Sequence, residues 1–91
     1  MGLCLYSEDG YVLDVGSASG WMEVSEFVEE NGGRAIKSFV NKGQTVNIRG
    51  VLKDIEALLP KVRQRHVKAT LQGLKKGFSK IKDKEIAIIS Q

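Results

Sequence analysis

One cysteine, one histidine and one proline occur in 91 residues, and no apolar run is long. Each scarcity excludes something. A lone Cys4 cannot close an internal disulfide, so packing must stabilise the fold, and a reducing, cytoplasmic setting is expected. One cysteine plus one histidine fall short of a metal-ligand set, and neither metal nor cofactor is expected. The apolar stretch "IAII" at 86–89 is far below the roughly 20 residues that cross a bilayer, so no membrane association is expected. The opening "MGLCLYSEDG" has no Lys or Arg and turns acidic at Glu8, unlike an export signal. Its Met-Gly start meets an N-myristoylation motif only loosely, with Tyr6 and Ser7 at the two candidate positions, and it reads as an ordinary cytosolic start.

What is present is the composition of a folded, soluble chain, 42% hydrophobic and 27% charged, of a length that fits one domain over 1–91. The net charge is only +3, but it is unevenly laid out. Residues 1–31 carry seven acids and no Lys or Arg, whereas residues 57–91 carry nine Lys or Arg against Asp83 and Glu85. Either these regions face each other or solubilise opposite sides, or the basic one offers a surface to an anionic partner.

Hydrophobic periodicity predicts the elements. "GLCLY" and "YVLDV" read as strands 2–6 and 11–15, joined as a hairpin around Ser7–Gly10. Trp21, Val24, Phe27 and Val28 give an amphipathic helix that ends at "NGG", where a left-handed cap is expected. A short helix over "RAIKSFVNK" follows, closed by Gly43. Thr45 or Asn47 caps a third helix whose apolar face is Ile48, Val51, Leu52, Ile55, Leu58 and Leu59, and Pro60 breaks the chain after it. Val67, Leu71, Leu74, Phe78 and Ile81 make one stripe of a last helix from 61 to about 82, with Gly73 and Gly77 weakening its end. "EIAIIS" at 85–90 reads as a strand that pairs with the N-terminal segment.

The stretch "DVGSASGWMEVSEF" invites three readings. As a nucleophile elbow it is out of register, since Ala18 stands where G-x-S-x-G needs serine, although the lone His66 is available as a base. As an anion site, Ser17, Ser19 and Gly20 offer a helix N-terminus, but no phosphate-loop motif or lysine accompanies them, and Glu23 and Glu26 already suit the positive helix end. The favoured reading is structural: Ser17 or Ser19 caps the helix, and Gly20 lets Trp21 approach the core. A Cys4–His66 couple requires the fold to join them, and a cysteine on a strand is more often a small buried hydrophobe. Glu29 and Glu30 point apart on a helix and read as a solvated face.

Lys61, Arg65, Lys68, Lys75 and Lys76 should share one side of the last helix, where they form the best candidate for a nucleic-acid or partner surface. Aromatic side chains that would stack on single-stranded bases are missing there, because Phe78 belongs to the apolar stripe. Ala69, Gly73 and Gly77 make a smooth ridge beside His66, suited to close packing against a neighbouring helix, or to a partner subunit or ligand reaching the backbone. The sequence therefore predicts an α+β domain, with a two- or three-stranded sheet from the terminal segments packed against about four helices. No catalytic residue is assigned. The expected function is a non-enzymatic protein-interaction module that binds a protein partner or itself, with nucleic-acid binding through the basic helix as the alternative. Third comes an enzyme or anion-binding protein using the Gly/Ser loop 16–20.

Overall fold

Alternation of Leu3 and Leu5 with Cys4 and Tyr6 gives a strand with one apolar side, and the computed structural model, which describes residues 2–90, forms β1 over Gly2–Ser7. Glu8 and Asp9 turn the chain, Gly10 takes a φ of 111° that a side chain resists, and β2 returns over Gly10–Ser17. Pairing steps from Leu3–Gly16 to Cys4–Asp14 and from Leu5–Leu13 to Tyr6–Tyr11, so Val15 and Val12 are bulged residues in β2. β4, Ala87–Ser90, runs antiparallel along the other edge of β1, which settles the direction of the terminal pairing.

The sheet has four strands rather than two or three. β3, Gln44–Thr45, pairs antiparallel with Ile88 and Ala87 and completes the order β2-β1-β4-β3. A two-residue strand has no period to detect, and its partner lies more than forty residues away in the chain. Thr45 accordingly is not the cap of the next helix. Its hydroxyl instead accepts the Asn47 N–H, and Asn47 caps by accepting the Gly50 N–H.

Four helices cover one face of the sheet: α1 Ala18–Asn31, α2 Arg34–Lys42, α3 Ile48–Leu58 and α4 Arg65–Phe78. α1 begins three residues before Trp21, because Ser17 rather than Ser19 is its cap and accepts the Gly20 N–H at 3.1 Å. It does not end in a left-handed residue: Gly32 is extended, and its N–H donates to the Val28 carbonyl. The left-handed cap belongs to Gly43 after α2, with φ 75°. α2 has no side-chain cap of its own, since its N-cap is Gly33. The Asp54 carboxylate of α3 accepts the Ile36 N–H instead, which ties two helices together. α4 is shorter than its apolar stripe. Pro60 starts a 3-10 turn over Leu59–Lys61, an irregular stretch carries the chain to Arg65, and Ile81 packs on the core from beyond the helix end.

One cluster of buried side chains joins the layers, with Leu5 and Val15 from the sheet meeting residues of all four helices. At its centre Phe39 stands edge-on to Trp21 and to Phe78, at centroid distances of 6.2 and 5.0 Å, so α1, α2 and α4 share one aromatic contact. Among the described residues no helix is long and apolar enough to cross a membrane.

Candidate functional site

The turn from β2 into α1 and the first half of α4 enclose an open cleft of about 590 Å³. From the turn come Gly16, Ser17, Ser19 and Gly20, from α1 Glu23, and from α4 His66, Ala69 and Thr70. The three residues proposed for anion contact are thus joined by a histidine and a glutamate that lie 43 residues apart in sequence. Glu23 pairs through Oε2 with Nε2 of His66, and both side chains are about half exposed, at 49% and 54%. Glu23 is therefore turned to α4, and no acid occupies the first turn of α1. The positive helix end is not offset by Glu23 and Glu26 as the sequence implied.

The chemistry open to this cleft follows from its hydrogen bonds. A carboxylate holding an imidazole is the orienting half of a nucleophilic relay, and the other half would be a serine hydroxyl against the free ring nitrogen. Ser17 Oγ is instead committed to the Gly20 N–H and lies 3.2 Å from Ser19 Oγ. Among the described residues no hydrogen bond links either serine to His66. What remains is a polar cleft of hydroxyls, one imidazole and one carboxylate, next to a capped helix start.

The small-residue ridge on α4 divides. Ala69 is exposed at the cleft, Gly73 faces open space, and Gly77 is buried against the sheet, where an added Cβ would meet Leu5 and Leu13. The ridge packs on strands rather than on a helix. Cys4 is displaced from expectation as well: β1 points it away from the core, half-buried, with its thiol donating to Asp14 Oδ1 at 3.2 Å. It lies on the sheet face away from the helices and is not brought to His66. The hydrogen bond to the Asp14 carboxylate raises the Cys4 pKa, so the thiolate is scarce at neutral pH. Asp14→Asn is expected to lower that pKa and speed alkylation by iodoacetamide at pH 8. Equal rates in the two proteins would show that Asp14 does not restrain the thiol.

Of the five basic candidates, Arg65, Lys68 and Lys76 lie along one exposed side of α4. Lys61 sits in the preceding turn, outside the helix, and Lys75 leans toward α3, 3.8 Å from Glu56 Oε1. The predicted patch is therefore narrower than its five residues and is flanked by Glu56.

A surface the sequence reading missed is the outer face of the sheet. With every helix on the side of Leu5 and Val15, a row of side chains crosses all four strands on the other side: Tyr11, Tyr6, Ile88 and Gln44. Tyr6 and Tyr11 stack edge-to-face at 6.2 Å, and the Tyr11 hydroxyl donates to Asp14 at 3.1 Å, leaving Tyr11 60% exposed. The signal was the half-polar alternation of β1, Leu-Cys-Leu-Tyr, which distinguishes a covered face from an open one.

The fold and these surfaces define a two-layer α+β protein with one bare sheet face. The chain matches no protein-family model, no curated protein and no solved structure with which it was compared.

Proposed function

We infer that the protein is a non-enzymatic interaction module that binds protein through the bare face of its sheet, with a second copy as the first occupant to test. The observation that carries this is the row Tyr11–Tyr6–Ile88, aromatic and aliphatic side chains left outward while every helix packs on the opposite face. Tyrosine supplies large contact area with little rotamer entropy to lose, which is why it is enriched at protein interfaces. The sheet edges are less suited to pairing: β3 has only two residues, and β2 is interrupted by bulges at Val12 and Val15. Against an enzymatic role stands the serine–histidine geometry of the cleft, in which the hydroxyls cap a helix and the imidazole is held by Glu23. A cytoplasmic setting is part of the proposal, supported by the free thiol of Cys4.

Sedimentation equilibrium from 1 µM to 1 mM tests it, the range being set by the weak affinities of small interfaces, on the order of micromolar and above. Self-association that is lost in Tyr11→Asp supports the bare face as the contact. A strict monomer at the highest concentration, or a dimer indifferent to Tyr11→Asp, rules out this occupant.

A further inference from the structure

Besides residues 57–82, which include α4, a second long stretch of the chain carries cations without an acid. Residues 31–53 hold Arg34, Lys37, Lys42, Arg49 and Lys53 and no Asp or Glu. The fold gathers most of them on one surface. Arg34, Ser38 and Lys42 recur every four residues along one side of α2, and Arg49 and Lys53 do the same on α3. A depression of about 400 Å³ runs between the two helices; it shares Gly50 and Lys53 with one of about 460 Å³ on α3 and Ser38, Thr45 and Asn47 with one of about 320 Å³ beside β3. The loop that leads into β4 extends the basic surface. The Lys84 N–H donates to the Val46 carbonyl and Asp83 Oδ1 accepts the Arg49 N–H, so exposed Lys82 and Lys84 adjoin the same groove.

The nearby acids have partners of their own: Asp54 accepts the Ile36 backbone N–H and Asp83 the Arg49 backbone N–H, bonds that leave both carboxylates charged, and Glu56 pairs with Lys75. None of Arg34, Lys42, Arg49 and Lys53 is in a salt bridge among the described residues. Asp54 and Glu56 line the same depressions, so Arg34, Lys42, Arg49 and Lys53 leave the groove lining with an excess of two positive charges. The groove has no aromatic side chain; its apolar members are Ala35, Val46, Leu52 and Ile86. Single strands draw much of their affinity from bases stacked on aromatics, while a duplex offers closely spaced phosphates that cations and side-chain amides can hold without reading bases.

We propose that the α2–β3–α3 groove is a binding surface for the phosphate backbone of double-stranded nucleic acid, held by Lys42, Arg49 and Lys53 with Asn47 and Ser38 as hydrogen-bonding partners. This surface is separate from the bare sheet face and stands or falls independently of it.

The test is fluorescence anisotropy of a labelled 24-base-pair DNA duplex, the same sequence as an RNA duplex, and the single strand, each titrated with the full chain. Three phosphate contacts predict that duplex affinity drops about fortyfold between 50 and 200 mM KCl. The triple variant Lys42→Ala/Arg49→Ala/Lys53→Ala is expected to bind at least about thirtyfold more weakly at 50 mM and to lower the salt slope by about 3. Arg49→Gln and Lys53→Gln alone, each lowering the slope by about 1, keep the test decisive if the triple variant does not fold. Binding of either duplex with these losses supports the groove. No duplex binding at 50 mM, equal affinity for the single strand, variants within twofold of wild type, or loss of binding only on replacing Arg65, Lys68 and Lys76 would overturn it.

Discussion

Phe39→Ala is expected to cost about 4 kcal/mol of stability, within the usual 3–5 kcal/mol for a buried phenylalanine. The residue is fully buried and stands edge-on to both Trp21 and Phe78, so truncation removes its own apolar area and two aromatic contacts, each worth about 0.5–1.5 kcal/mol beyond burial. A chain of this size has on the order of 5–14 kcal/mol in total. Thermal unfolding followed by circular dichroism should therefore show a fall in Tm of roughly 15–30 °C or a chain unfolded at room temperature. Met22→Ala, at a position 66% exposed on α1, serves as the contrast and should stay within about 0.5 kcal/mol of wild type. A Phe39→Ala protein melting within a few degrees of wild type would mean that this aromatic contact is not the centre of the core.

The second large effect sets two glycines against each other. At Gly32 an added Cβ would lie 2.6 Å from the Val28 carbonyl oxygen and 2.9 Å from Val28 Cγ1, at the corner where α1 passes into α2. A carbonyl inside a helix cannot swing aside as a side chain can, so Gly32→Ala forces the corner open and is expected to cost about 2–3 kcal/mol. At Gly73, in the middle of α4, nothing lies within 4 Å of the same added atom. Gly73→Ala is expected to stabilise by up to about 1 kcal/mol, since alanine loses less backbone entropy in a helix. Urea unfolding of both variants reads the difference directly. If Gly32→Ala is as stable as Gly73→Ala, the corner does not require a residue without a side chain.

These outcomes mark what could be read from residues alone. The amphipathic spacing of Val24 with Val28, of Ile48 with Val51 and Ile55, and of Val67 with Leu71 and Leu74 gave the helices, because burial on one side imposes a period that propensity alone does not. The hairpin was legible in the turn chemistry of Ser7–Gly10, and Ser17 was legible as a helix cap. The start of α4 was not, since an apolar stripe continues through a turn and a loop that have no helical hydrogen bonds. For the cleft, the sequence showed Ser17, Ser19, Gly20 and a lone His66 as separate features. It could not show that Glu23 turns to that histidine, because the two meet only through the packing of α1 on α4.

The sequence by itself determined the α+β class, the order of every element but β3, and that the terminal segments pair, all of which rest on local periodicity and on which segments need an apolar partner. Only the tertiary structure decided which surfaces are bare and which charges stand together. Strand β3 exists because β4 offers it hydrogen bonds, not because Gln44 and Thr45 form a strand unaided. Tyr6, Tyr11 and Ile88 become one row only when three strands align, and Lys42 comes to a depression adjoining that of Lys53 only across a folded corner. Surfaces of this kind depend on non-local contacts, and a linear pattern carries no record of them.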